Sequence, residues 1–308
     1  MGLMRKLAVA AENPAMAICY ARSRLDSGGL VASYRRRAEQ AGLDRLYFIL
    51  SFDCDRPEDA AAAADVHNRL MDMGICAAYA VPGELLCRGA DVYRRIAATG
   101  AEFLNHGHRW HMYFDEASGT YLSSFFYDEL TPDVIEQDVA GGDRDVTDVI
   151  GVKPKGFRTP HFGTYQTESQ LRFLHRLLER LGYVYSTSTT PGFGLCYGPA
   201  FHRYGLIEVP VSGRGDRPFD ILDSWSCFAA PGRTLGPQDY QRGALAMAKR
   251  LSGGAGLLNY YCDPSHIHDQ PIFFETMREL VKLAKPISYG KLLAMIWPST
   301  PKSADTSK

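Results

Sequence analysis

The chain has 308 residues, 45% of them hydrophobic and 22% charged, a composition that excludes disorder over most of its length. Thirty-four basic against 35 acidic residues leave a formal net charge of −1, so no overall field draws nucleic acid and none is expected as a partner. The seven cysteines are an odd number at scattered positions without a CxxC pair; they read as free thiols in a reducing compartment.

Residues 1–44 mix Arg5, Lys6, Arg22, Arg24 and Arg35 to Arg37 with short apolar stretches. They are expected to form a helical N-terminal extension packed on the main domain, with contact to an anionic membrane surface as the alternative. Residues 45–53 are a near-continuous apolar run ending in acid, as a fully buried parallel strand reads. A helix over 58–73 follows, with Ala62, Val66, Leu70 and Met73 at helical spacing and Gly74 as its stop. Residues 75–82 are a strand, 91–99 a helix and 102–105 a short strand that runs into a histidine cluster. Helices over 132–150 and 167–182 alternate with strands at 155–159 and 183–188. A strand at 205–211, a helix at 238–251, a strand at 256–262 and a helix at 271–284 complete the pattern. Residues 299–308 have almost nothing to bury and are expected to be a disordered tail.

Strands and helices that alternate in this way predict a parallel sheet, open or closed as a barrel. The open dinucleotide-binding form needs a glycine-rich turn after its first strand, where Asp53-Cys54-Asp55-Arg56-Pro57 stands instead, and no GxxxxGK[ST] occurs. A barrel places functional residues just after its strands, and four clusters lie there. Asp53 and Asp55 are two carboxylates one residue apart that call for a cation or a basic partner. Residues 105–111 hold His106, His108 and His111, imidazoles that with a carboxylate make a catalytic metal site. Arg158 ends a strand, where a fixed guanidinium would hold one of the two aspartates through two parallel hydrogen bonds. Asp263, His266 and His268 follow the last strong strand, and a histidine beside a carboxylate suits a general acid near neutral pH.

In this order the pieces resemble the polysaccharide deacetylase family, also called carbohydrate esterase family 4 or the NodB homology domain, from about Leu46 to Trp297. The resemblance implies an α/β fold, a distorted (β/α)7-type barrel over 45–298 in a single domain. SFDCD at 51–55 implies Asp53 as general base and Asp55 as metal ligand. NHGHRWH at 105–111 resembles the block whose two histidines complete the metal site. The family sets these four apart, and Trp110 stands at that position, so His111 is the expected partner of His106 if the loop carries one extra residue, with His108 as the alternate. GFRTPHFG at 156–163 implies that Arg158 steadies the base. Asp223-Ser224-Trp225 resembles a block whose aspartate tunes the catalytic histidine and whose tryptophan walls the acyl pocket. The stretch up to His266 implies that residue as general acid, with His268 and Asp263 as alternates. Trp225, Phe162, Trp110 and His161 are the expected substrate-binding residues.

The expected activity is metal-dependent removal of an N-acyl or O-acyl group from a sugar, in polysaccharide or glycoconjugate biosynthesis, with zinc foremost among the divalent metals. No run of eighteen apolar residues and no export signal are visible. The expected location is therefore cytoplasmic, or peripheral at the membrane, and the expected partner a carbohydrate, nucleotide- or lipid-linked sugars included. Three rivals stand beside this reading. His106-Gly-His-Arg-Trp110 also resembles a metal-independent, allantoinase-like branch that cleaves non-peptide C–N bonds. The Asp53-x-Asp55 pair suits a glycosyltransferase, and the irregular blocks suit a non-catalytic carbohydrate-binding relative.

Overall fold

The computed structural model describes residues 3–296. The tail at 299–308, the end of the family-like span at Trp297 and the side chains of Arg5 and Lys6 lie outside the described residues. Strand β1 (Leu46–Asp53) is buried at all eight positions, because it pairs on both sides and is covered on both faces. After it come β2 (Ala78–Val81), β3 (Phe103–Asn105), a hairpin of β4 (Met112–Asp115) and β5 (Thr120–Ser123), β6 (Gly156–Phe157), β7 (Tyr185–Ser186), β8 (Phe201–Arg203), β9 (Leu206–Glu208), β10 (Gly256–Cys262) and β11 (Lys285–Pro286). The sheet runs β10-β1-β2-β3-β6-β7-β9-β8, with β11 also on β1. Its strands from β10 to β9 are parallel, and β8 is antiparallel.

The sheet curls into the deacetylase-like barrel that was expected. Between β9 and β10 no strand ladder forms among the described residues, and Asn259 bridges the gap: its Nδ2 donates to the Val209 and Pro210 carbonyls, each at 3.1 Å, and its backbone carbonyl accepts from the Ser212 N–H at 2.7 Å. Pro210 lacks the N–H a regular strand would need there, so the barrel is distorted at this seam. Parallel strands joined by helical crossovers bring the C-terminal ends of β1, β3, β6 and β10 to one mouth.

The helices at Asp59–Met71, Pro132–Ile150, Glu168–Arg180, Pro237–Leu251 and Pro271–Leu283 match the periodic segments of the sequence. Thr167 caps the third of these with Gln170 reaching back. The hairpin β4–β5, the helix Pro191–Tyr197 and the short helical turn Trp225–Ala229 are additions. The hairpin has no fully buried residue on either strand, so it carries no apolar alternation to betray it.

Residues 3–40 form three helices, Leu3–Glu12, Pro14–Leu25 and Ser27–Gln40. The third docks on the barrel through the buried Tyr34, whose hydroxyl donates to the Leu257 carbonyl at 2.9 Å. The second turns Ile18 and Leu25 to solvent, 64% and 87% exposed, beside the exposed Arg22 and Arg24. Among the described residues no helix is long and apolar enough to cross a membrane, and all seven cysteines are free thiols.

Candidate active site

Asp53 is the last residue of β1, and its carboxylate accepts from Arg158 Nη1 at 2.6 Å. Arg158 follows β6 and is wholly buried. The expected pair of parallel bonds to the aspartate is not formed. The other arm, Nη2, donates to Ser51 Oγ at 2.8 Å and to the Tyr289 hydroxyl at 3.0 Å. One carboxylate oxygen is thereby held, and the other keeps no protein hydrogen bond among the described residues. Burial raises the Asp53 pKa and the charge of Asp55 adds to this, while Arg158 and His106 pull it down; the net direction is upward.

The histidine loop leaves β3 through Asn105, whose Nδ2 donates to the Val139 carbonyl at 2.8 Å and whose Oδ1 accepts from Gly107 N–H at 2.8 Å. Gly107 has φ +80°, and a Cβ there would stand 2.3 Å from Asp138 Oδ2, so only glycine makes this bend. Asp138, on the helix Pro132–Ile150, clamps the loop by accepting from the N–H groups of His108 (3.1 Å) and Arg109 (2.8 Å). The clamp sends alternate side chains to different places. His108 Nδ1 lies 2.6 Å from Asp145, away from the mouth. The Trp110 indole N–H donates to the Asp55 carbonyl at 2.7 Å, and its ring packs beside Tyr121. Trp110 thus braces the aspartate loop from behind the cleft wall, a correction to its expected place against substrate.

His106 and His111 both return to Asp55. Their Nε2 atoms stand 3.4 and 3.0 Å from Asp55 Oδ1, and the three ligand atoms lie within 4.8 Å of one another. Nδ1 of His106 meets the Arg158 carbonyl at 2.8 Å. A carbonyl only accepts, so Nδ1 carries a proton and Nε2 is the atom left to face Asp55. Asp55 Oδ1 and both Nε2 atoms are buried without a hydrogen-bond partner, a costly arrangement unless a cation binds them. Ligands about 2.1 Å from a tetrahedral ion stand roughly 3.4 Å apart, which these positions approach. Burial opposes the charge of Asp55, but His111 and His106 outweigh it and hold the carboxyl well below the usual range. Burial likewise opposes an imidazolium at His106, and Asp55 and Asp53 outweigh it.

Beyond β10, His266 Nδ1 stands 2.7 Å from Asp263 Oδ2. Ser224 Oγ joins the pair, donating to Asp263 Oδ2 at 2.9 Å and accepting from the Asp263 N–H at 2.8 Å. Nε2 of His266 is buried and unpartnered. Burial lowers the His266 pKa, but the Asp263 carboxylate overrides it and the net shift is upward. The carboxylate on the histidine is therefore Asp263 and not Asp223. Asp223 is spent on the N–H and hydroxyl of Ser226, at 2.6 and 3.1 Å, where it starts the turn Trp225–Ala229. His268 is exposed, its Nδ1 3.1 Å from the Ser265 carbonyl, and lies outside the site.

These groups line a cleft of about 850 Å³ counted to its open mouth. Phe162 and Trp225 form part of its wall, and the hairpin adds Met112 and Tyr121. Trp225 lies 5.7 Å from His266 between ring centroids. His161 adopts φ +59°, which costs about 1–2 kcal/mol in a non-glycine residue. Its Nε2–H donates to the Ser124 carbonyl at 2.7 Å, and its ring packs between His111 and Phe126. Burial and the neighbouring His111 bring its pKa down to about 4, so it is neutral at pH 7. Ser51, Asp138, Ser224 and Tyr289 were not among the expected residues, and none carries a sequence signal, since each acts through a distant partner.

A barrel mouth that gathers a buried carboxylate–arginine pair, an Asp-His-His triad and a histidine–carboxylate pair defines a deacetylase-type (β/α) barrel. The sequence agrees with this: residues 44–185 match the family described as Polysaccharide deacetylase. Among solved structures, a probable polysaccharide deacetylase from Pseudomonas aeruginosa PAO1 is similar at 10% identity and TM-score 0.60, over 84% of this chain and 93% of that one. PuuE allantoinase is similar at 12% identity and TM-score 0.56, over 84% and 92%. BA3943 of Bacillus anthracis, a pseudoenzyme of carbohydrate esterase family 4, is similar at 10% identity and TM-score 0.51, over 81% and 66%. At these identities the likeness is one of fold. No curated protein matches the chain.

Proposed function

We propose that the protein hydrolyses an N-acyl or O-acyl group on a sugar, in polysaccharide or glycoconjugate biosynthesis, with a divalent ion held by Asp55, His106 and His111. The observation that carries this reading is the set of three converging, buried and unpartnered ligand atoms beside a carboxylate pinned by arginine. Two imidazoles and one carboxylate suit zinc and leave coordination positions for water and substrate. The ion, when bound, supplies polarisation of the acyl carbonyl and acidification of a water.

The protein's own groups do the rest. Asp53 accepts the proton of the attacking water on its unbonded oxygen, while Arg158 fixes its orientation and stabilises its charge. His266 keeps Nδ1 toward Asp263 and presents Nε2–H to the departing amine or alcohol. Trp225 and Phe162 bound the space for the acyl group. In Asp263→Asn the upward pull on the His266 pKa is lost. Activity requires the protonated imidazole and falls as pH rises through that pKa, so the alkaline limb of the kcat/KM profile is expected to move to lower pH. An unmoved limb would remove this role from the pair.

Treatment with a chelator is expected to abolish acetate release from N-acetylated sugars, and added zinc to restore it. Activity that survives metal removal would favour the metal-free C–N hydrolase instead. A metal-loaded protein that turns over no acyl sugar or acyl ester would be a binding relative. The helix Pro14–Leu25 supports a place at the membrane: Ile18 and Leu25 face outward beside Arg22 and Arg24, a face suited to anionic lipid. Pelleting with phosphatidylglycerol vesicles, lost in Ile18→Asp/Leu25→Asp, is the expected result; equal pelleting of both proteins would rule this face out.

A further inference from the structure

Arg56 follows the triad aspartate directly and is a half-buried part of the cleft wall. Its guanidinium carbon lies 5.2 Å from the centre of the Tyr121 ring and 5.3 Å from that of Trp225. The hairpin and the Trp225 turn therefore hold this cation between two aromatic surfaces, and cation–π attraction restrains it. Its backbone N–H is tied to Asp59 Oδ2 at 2.8 Å, which fixes the turn from which the side chain projects.

Among the described residues no carboxylate stands within salt-bridge reach of this guanidinium. The acidic groups of the cleft have closer partners: Asp53 has Arg158, Asp55 has His106 and His111, and Asp263 has His266. Arg56 is thus not needed to neutralise them. A guanidinium that is oriented and still has its forked donors free matches the oxygens of a phosphate or carboxylate.

We infer that Arg56 is the anion-recognition element of the cleft, and that the substrate is a sugar carrying an oxyanion, phosphate or carboxylate, near its acyl group. The inference rests on the deacetylase reading of the cleft and narrows it: a neutral acetylated polymer would leave the one uncommitted cation of the wall without a partner.

The test uses the full-length, zinc-loaded protein with four sugars: N-acetylglucosamine, its 1-phosphate, its 6-phosphate, and N-acetylmuramic acid for the carboxylate. Binding is measured by calorimetry and turnover by amine release, in the wild type, Arg56→Gln and Arg56→Lys. At least one anionic sugar is expected to bind about tenfold or more tightly than the neutral one, as a hydrogen bond to a charged group warrants. The sugar that shows the gap tells phosphate from carboxylate. In Arg56→Gln the anionic-to-neutral ratio is expected to fall to about one, and in Arg56→Lys to recover in part, because a point charge replaces a fork. A ratio near one in the wild type, or one that survives in Arg56→Gln, overturns the inference while the deacetylase reading stands. If no sugar is bound or hydrolysed by protein that retains its zinc, the carbohydrate reading falls and the inference with it.

Discussion

On the proposed reading of the site, Asp53→Asn is expected to leave metal binding unchanged while lowering kcat by about 10²- to 10⁴-fold, the usual worth of a positioned general base. The two aspartates lie one residue apart yet serve different partners. Asp55 meets the imidazoles of His106 and His111, and Asp53 meets Arg158. Asparagine keeps an oxygen for Arg158 Nη1 and nearly the same volume, so the metal ligands need not move. What it lacks is a basic oxygen to take the proton of water. Metal analysis and single-turnover rates on the same preparation check the separation. Near-normal turnover would show that Asp53 is not the base, and joint loss of metal and activity would show that it belongs to the metal site.

Arg158→Met is expected to cost about 3–5 kcal/mol of folding stability, the penalty for leaving one partner of a buried ion pair unpaired, and to abolish activity. The guanidinium is wholly buried, bonds Asp53, Ser51 and Tyr289, and lies 5.3 Å from the centre of the Phe162 ring. Its charge is one of the groups that hold the Asp53 pKa down against burial, so without it that pKa rises further above the unfolded value. The native state of the variant then binds more protons than the unfolded state, and its stability falls as pH rises through that interval. The deficit against wild type, measured by urea denaturation of metal-free protein, is therefore expected to shrink toward acidic pH. A deficit constant between pH 5 and 8 would assign the loss to packing and not to the stranded carboxylate.

How much of this was legible beforehand follows from the range of the interactions involved. Buried parallel strands such as β1 and β10 read from their own apolar runs, and the helix Pro132–Ile150 from its periodicity, because burial on both faces or on one stripe leaves its mark in consecutive residues. The same locality placed Asp53, Asp55, His106 and Arg158 at strand ends, where a barrel keeps its chemistry. The spacing of the histidines could not choose between His108 and His111. That choice is made by Asp138, some thirty residues on, which bends the loop at Gly107.

Nor could adjacency in the chain decide which aspartate serves His266. Asp223 lies in a family-like block, but it opens the turn Trp225–Ala229, whereas Asp263 stands at the end of β10 with Ser224 locking it to the imidazole. The division of Arg158 between Asp53, Ser51 and Tyr289, and the enclosure of Arg56 by Tyr121 and Trp225, likewise join segments far apart in the chain. The amino-acid sequence thus determined which elements form and which residue types reach the mouth of the barrel. Tertiary structure decided which partner each takes, because hydrogen bonds and charge pairs act over a few ångströms of space, whatever the distance along the chain.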